Sequence, residues 1–404
     1  MRKGCGGWSG SLRGLRPQRS CVRSVLLKRT IPDPDPEALK RVSLSERTPP
    51  EPFRIEPMFM PRIWGSRSLA PLFPDKTNLA EPIGEAWLTG VDCRVATGPF
   101  AGKTLGEAWR EMPAEWRGEK FKEPGDFPLL VKFIFPQDKL SIQVHPDDAY
   151  AALHEKAAGG RGKTEMWHAV SAEPGAQVLI GLKPGVDKQK FLAALEAQTL
   201  EELFVAHPVQ AGDTFFLPAG TPHTIGPGMV LCEVQQYSDL TYRVYDYGRV
   251  DAQGRQRELH VEKALAVMNF GSSPTGAFRP DNYMDEFGTA YVYYLAACRY
   301  FAAEKIFPDS ANLVAGAGKF ELIVVLHGKG HILWNLGEGR LTGERRYKKG
   351  QVWFIPASLS KYMVFDSREG SEVLRVYVPE IVEFDQKMRE RGYDEKWRRR
   401  FIFL

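Results

Sequence analysis

The chain contains no apolar run of about 18 residues, so it holds no candidate membrane-spanning helix. Cysteine is scarce: Cys5, Cys21, Cys93, Cys232 and Cys298 are scattered, odd in number and without C-x-x-C spacing. That pattern excludes a disulfide framework and fits a reducing cytoplasm, with Cys93, Cys232 and Cys298 as small core residues. Acid is missing from Met1 to Pro32, which carries Arg2, Lys3, Arg13, Arg16, Arg19, Arg23, Lys28 and Arg29. Removing those eight charges from the net +4 leaves −4 for the remainder, a mildly acidic body with no nucleic-acid footprint. The leader lacks the apolar stretch of a secretory signal and reads either as a targeting segment or as a disordered tail. The glycine-rich AGAGKF at 315–320 lacks P-loop spacing and a following Ser or Thr, and reads as a turn between strands.

What is present is enough for two domains: 404 residues, 43% hydrophobic and 26% charged, the balance of an ordinary soluble globular protein. The division expected is a basic disordered leader and Pro-rich linker over 1–55, a first barrel over 56–275, a second over 291–380, and a basic C-terminal helix over 381–404. From about 56 to 135, short apolar runs alternate with Gly and Pro as strands and loops do. Runs 129–135, 140–145, 166–170, 177–182, 209–217, 229–236 and 241–245 read as strands. Asp147 can cap a short helix over 148–158, and 186–206 carries apolar residues at helical spacing. Many short strands separated by turn residues predict a mainly β jelly roll with a helical insertion in its first region.

Gln143 and His145 lie two apart on a predicted strand and so share a face, and Pro146 biases His145 towards an extended backbone. Glu165 and His223 can complete a set of two imidazoles, one carboxylate and one amide oxygen around a divalent metal, with zinc a natural occupant of N and O ligands. A single anionic ligand leaves the metal most of its charge, as suits a Lewis acid. His168, at an odd offset from Glu165, points to the opposite face and is the decoy. His154, His207 and His260 fall in helix or loop settings. His327 and His331, i and i+4 on a strand-like run, lack a supporting carboxylate pattern. Lys132 interrupts the apolar run LLVKFIF, either as an edge residue with its ammonium in water or as a cation facing a ligand. Arg243, in TYRVYDY, suggests fixed ion pairing or substrate contact.

These residues also carry a family resemblance. Gly212, Pro218, Gly220 and His223 match G-x5-P-x-G-x2-H and resemble the second signature of cupin barrels, without that signature's later Asn. QVHPDD at 143–148, GKTE at 162–165, AGTPH at 219–223 and EVQQYSDLTYR at 233–243, in that order, resemble the type I mannose-6-phosphate isomerases. The resemblance extends from PRIWGSRSL at 61–69 and PIGEAWLTG at 82–90 into the C-terminal region. It implies two cupin-type jelly-roll barrels, one zinc ion per chain on Gln143, His145, Glu165 and His223, and a small phosphosugar substrate. The implied reaction interconverts mannose 6-phosphate and fructose 6-phosphate by proton transfer through a cis-enediol. Lys163 is similar to the family's active-site lysine and Asp239 to its candidate acid/base. Arg243 and Glu233 are possible helpers, and Lys132 and Arg243 would face phosphate or open-chain oxygens. The division of labour stays open, as does the choice between monomer and dimer. A non-catalytic, metal-containing sugar-binding cupin is the alternative, although it would not need Lys163, Asp239 and Arg243.

The C-terminal part repeats the pattern. GDTFFLPA at 212–219 and GQVWFIPA at 350–357 share four identities at a constant offset of 138 residues. At that offset Gly220 becomes Ser358 and His223 becomes Lys361, whose ammonium is no metal ligand. The second barrel is therefore expected to keep the packing and lose the metal.

Overall fold

Valine, isoleucine and aromatic runs broken by glycine turns give a mainly β protein, as the patterning predicts. The structure is a computed structural model that describes residues 49–123, 125–251, 253–271, 276–279, 283–284, 290–308, 312–315, 318–335, 341–359 and 361–404. The basic leader from Met1 to Pro32, with Cys5 and Cys21, lies outside the described residues. Among these residues no helix is long and apolar enough to cross a membrane.

Four sheets organise the described residues. The first half builds a six-stranded sheet in the order Met58–Ser66, Ile83–Trp87, Leu129–Ile134, Met229–Gln236, Glu165–Ala172, Thr214–Leu217. It also builds a five-stranded sheet in the order Tyr242–Tyr245, Ile142–Val144, His223–Ile225, Gln177–Leu182, Phe204–Pro208. Between their facing sides lies an apolar filling of Trp167, Ala169, Val178, Ile180, Phe215, Leu217 and Leu231. The other face of the six-stranded sheet supplies Val131, Phe133, Met166, Cys232 and Val234 to a core shared with Leu322, Val324, Phe354, Leu374 and Val376 of the second half. Because side chains alternate along a strand, one sheet serves both the site and this shared core. The second half forms a four-stranded sheet and supplies seven strands of an eight-stranded one, whose remaining strand is Phe53–Ile55. Cys93, Cys232 and Cys298 are buried free thiols.

The repeat offset holds in the positions of the strands. Thr214–Leu217 corresponds to Val352–Ile355, and His223–Ile225 to the start of Lys361–Asp366, each 138 residues on.

Several expectations are corrected. The linker ends too late at 55, because Phe53–Ile55 is a strand paired antiparallel with Val352, Trp353 and Phe354. Phe53 and Ile55 are fully buried, and the Phe53 ring stacks on Phe354 at 4.7 Å. The helix expected over 186–206 covers only Lys188–Glu196. Gln198 turns left-handed at φ 59°, and Phe204–Pro208 then runs as an edge strand with Phe204 buried. The stretch 56–135 is not all strand and loop. It contains the helix Leu105–Glu111, whose Thr104 and Glu107 form a capping box that the T-x-x-E spacing signals. The helix Val261–Val267 was likewise unforeseen. The C-terminal segment makes helices Ile381–Glu390 and Glu395–Arg398 around Gly392 (φ 87°), then ends as a short strand, Ile402–Phe403, parallel to Ala297 and Cys298. Finally, His207 sits on a strand. His327 closes one strand and His331 sits in the next, separated by a turn at Gly328, so they do not share a run.

Candidate active site

The site is assembled from both sheets of the first half. In the five-stranded sheet, Gln143 is the direct cross-strand partner of His223 on one side and of Arg243 on the other. Directly opposed residues share a face, so Arg243, Gln143 and His223 form one row. His145 follows on the same face just past the end of its strand. The six-stranded sheet contributes Glu165, the first residue of its strand, opposite Gln235 and Leu217. His145, Glu165 and His223 are 1–2% exposed, and a nitrogen or oxygen of each lies within 4.8 Å of the others. Among the described residues this is the one such group of histidine, cysteine and acidic side chains.

The backbone sets the imidazoles. His145 Nδ1 lies 2.7 Å from the Leu240 carbonyl oxygen and His223 Nδ1 2.9 Å from that of Thr221. A carbonyl only accepts, so each Nδ1 carries the proton and each Nε2 turns a lone pair to the interior. Burial, then the neighbouring Lys163 ammonium, holds His145 well below the usual imidazole range, and burial pushes His223 down to about 4. Both rings are neutral at pH 7, as metal ligation requires.

Glu165 makes the case for a cation. Its Oε1 is 3.3 Å from His223 Nε2 and its Oε2 3.7 Å from His145 Nε2, yet neither oxygen has a hydrogen-bond partner. Lys163 Nζ lies 3.0 Å from Oε2 but is not aligned to donate to it. A buried carboxylate without a donor is costly, and a divalent ion held between these three groups removes the cost. The Gln143 amide nitrogen is 3.2 Å from His223 Nε2, and a half-turn of the amide brings its oxygen to the same place. The donor set of two imidazole nitrogens, a carboxylate and an amide oxygen fits zinc.

A second polar row lies along the six-stranded sheet. Lys132 pairs with Glu233 on one side and Trp87 on the other, and Glu233 with Trp167. The Lys132 ammonium is not at an edge in water: it is 2% exposed and lies 3.4 Å from both Glu233 and Asp239. Burial opposes its charge, but Glu85, Glu233 and Asp239 together hold it above the usual lysine range. Glu233 is pushed up by burial, with the Glu165 charge adding to it and Lys163, at 4.0 Å, pulling the other way. It also accepts a hydrogen bond from the Trp167 indole at 3.0 Å. Asp239 is exposed and reaches the row only through Lys132. Arg243 is half-buried; its Nη1 donates to the Glu258 carbonyl at 2.9 Å, and its buried Nε has no partner. Burial, then neighbouring Arg257, lowers its pKa.

Lys163 completes the cluster, 3.3 Å from His145 Nε2. The structure thus gathers Gln143, His145, Glu165, His223, Lys163, Lys132 and Glu233, with Asp239 at the edge and Arg243 one strand from Gln143. His168 faces away, its Nδ1 2.9 Å from the Thr214 hydroxyl, where burial pushes it down to about 3. Glu85 escaped the sequence reading. It accepts from Arg62 at 2.9 Å and from the Trp87 indole at 2.8 Å. Burial raises its pKa, but Lys132 and Arg62 more than offset that. The alternation of Glu85 and Trp87 in GEAW was the available signal, since it puts both on one face.

Comparison with known proteins converges on the same region. A family model described as phosphomannose isomerase type I, catalytic domain, matches residues 53–171. Mannose-6-phosphate isomerase ManA of Bacillus subtilis is 33% identical over 321 residues, which span 77% of this chain and 95% of that protein. The mannose-6-phosphate isomerase of Streptococcus mutans is 38% identical over 226 residues, 55% of this chain and 69% of that one. Among solved structures, the mannose 6-phosphate isomerase from Bacillus subtilis matches with a TM-score of 0.71 at 28% identity, covering 80% of this chain and 99% of that chain. A phosphomannose isomerase from Salmonella typhimurium, 16% identical with a TM-score of 0.61, shares the fold over 81% of this chain and 99% of its own. With a relative at this identity covered almost from end to end, the chain belongs to the type I phosphomannose isomerase family.

Proposed function

We propose that the chain interconverts mannose 6-phosphate and fructose 6-phosphate, with one zinc ion held by Gln143, His145, Glu165 and His223. The observation that carries the metal reading is the buried Glu165 carboxylate, ion-paired with Lys163 but hydrogen-bonded to nothing, and facing two fixed Nε2 lone pairs. When bound, the cation supplies Lewis acidity to an oxygen of the open-chain sugar. Isomerisation through a cis-enediol moves one proton between neighbouring carbons, and a single group on one face of the sugar can lift and return it. Lys163, buried against the ligand set, and Asp239, exposed and paired with Lys132, are the two groups offered for that work. Lys132 holds its proton throughout and so serves as a fixed positive charge facing the phosphate or the open-chain oxygens. Glu233 fixes Lys132, and Arg243, with its partnerless buried Nε, has a donor left for substrate. Buried free thiols fit a cytoplasmic setting.

The test is a coupled assay on mannose 6-phosphate, together with metal analysis of protein grown without added zinc. Turnover with about one zinc per chain is expected. Full metal content without turnover supports the alternative, a metal-containing sugar-binding cupin.

A further inference from the structure

The loop that presents Lys163 is secured by a carboxylate outside the ligand set. Asp148 Oδ1 accepts from the Gly162 amide at 2.9 Å and from the Gln236 side chain at 2.9 Å. Gln236 in turn accepts from the Thr164 amide at 2.8 Å, and the Lys163 amide donates to the Pro146 carbonyl at 3.0 Å. The Gly162 and Lys163 amides are therefore tied directly to the segment that follows His145, and the Thr164 amide to it through Gln236. The approach is close: a Cβ at Gly162 would lie 2.5 Å from the Asp147 carbonyl carbon and 2.6 Å from the Asp148 nitrogen. Only glycine fits there.

The other oxygen of Asp148 belongs to a different partnership. Oδ2 accepts from the Tyr300 hydroxyl at 2.5 Å and from Arg299 at 3.5 Å, and Arg299 also donates to the Tyr300 hydroxyl. Arg299 and Tyr300 lie in the second half, between strands Ala290–Cys298 and Ala302–Pro308. A connected path runs from Tyr300 through Asp148 and Gly162 to Lys163, and on to His145 and Glu165.

We propose that Tyr300 is a positioning residue for the reaction. Through Asp148, the second half of the chain fixes the loop that aims the Lys163 ammonium. This rests on the isomerase reading above, and it gives the second half a part in turnover although it holds no metal-ligand cluster among its described residues. A carboxylate fixed on one oxygen only can swing; fixed on both, it holds the loop in a single register.

The test uses the full chain with Tyr300→Phe, Asp148→Asn and the double variant. Tyr300→Phe keeps the ring and removes the donor. The expected result is kcat lower by at least about tenfold with KM little changed, since ground-state contacts survive and alignment does not. Metal content should equal that of the parent. Amide hydrogen exchange in a peptide spanning 161–165 should be faster in Tyr300→Phe. The double variant should be no slower in turnover than Asp148→Asn alone, because both changes break one path. Unchanged exchange at 161–165 overturns the proposal, as does faster exchange with parental kcat, or strict additivity of the two losses. Should Tyr300→Phe fail to fold, Asp148→Asn carries the same exchange and kcat readings. Absence of turnover in the parent chain refutes the isomerase reading, whereas the exchange arm still judges the path from Tyr300 to Gly162.

Discussion

His168 offers a pH test that avoids the candidate metal site. Its ring is 1% exposed, it faces the shared core rather than the interior of the site, and its Nδ1 meets the Thr214 hydroxyl. Burial, with Lys305 adding to it, pushes the folded-state pKa from 6.5 down to about 3. A depressed histidine pKa means that the unfolded chain binds a proton the folded chain refuses. The contribution to stability is therefore fully present above the unfolded value and is lost as pH falls from about 6.5 towards 3. Within that window up to one proton separates the two states, worth about 1.4 kcal/mol per pH unit. Between pH 6.5 and 5 the loss is about 2 kcal/mol, a sizeable part of a typical domain's margin. The perturbation is His168→Asn, which can keep a hydrogen bond to Thr214 and cannot titrate. Urea unfolding from pH 8 to 5, with a chelator present so that metal release does not contribute, gives two stability curves. Their difference isolates His168, because all other titrating groups are common to both. The variant should be less stable at pH 7 and should lose less stability on acidification. Parallel curves across the whole range would refute the reasoning, because they would mean that the imidazole accepts its proton without leaving its site.

Further expectations follow from the same contacts. Phe53→Ala should cost about 3–5 kcal/mol, the scale for a fully buried aromatic, and a chain beginning at Met58 should melt earlier still; scanning calorimetry checks both. His223→Ala should remove bound metal and activity together, while His168→Asn should retain metal, as read by metal analysis of purified protein. Arg243→Lys keeps the charge but loses the planar fork, so turnover should fall by about two orders of magnitude with metal content unchanged; parental turnover would defeat its proposed role. Lys132→Met leaves the buried Glu233 without that cation and should destabilise by about 3–5 kcal/mol, measured by denaturant unfolding.

The candidate metal cluster was legible in part from local spacing, with Glu165 and His223 supplied by the family motifs. Two-residue spacing puts Gln143 and His145 on one face, and the odd offset sends His168 to the other, where the structure places it. The internal repeat was legible for a similar reason: a strand and its turn glycine recur as a unit, so Gly212 and Gly350 mark the same corner, both at positive φ. What stayed hidden depends on long-range pairing. Lys132 looked ambiguous because nothing in LLVKFIF tells that Glu233 will be its cross-strand neighbour. Phe53 looked like linker because its partner strand lies far along the chain and prolines precede it. The helix expected to run to 206 stops early because Gln198 takes a left-handed turn and Phe204 onward is claimed by the edge of a sheet, a tertiary demand that overrides helical spacing. Tyr300 and Asp148 had no shared motif at all.

The pairing of Phe53–Ile55 with Val352, Trp353 and Phe354 also bears on how the molecule is made. The two partners are separated by about 300 residues, so their contact carries the loop-closure cost of nearly the whole folded chain. At a synthesis rate of roughly 5–20 residues per second, Phe53 emerges some 15–60 seconds before its partner exists. Until then the first half can close its own two sheets, but the core around Phe133 and Cys232 lacks the side chains of Leu322, Val324, Phe354, Leu374 and Val376. The N-terminal strand is therefore a seam sewn last by residues made first. Synthesis of the second half is the step at which this core is completed, and the interval before it is when the nascent protein is most open to aggregation and most in need of a chaperone.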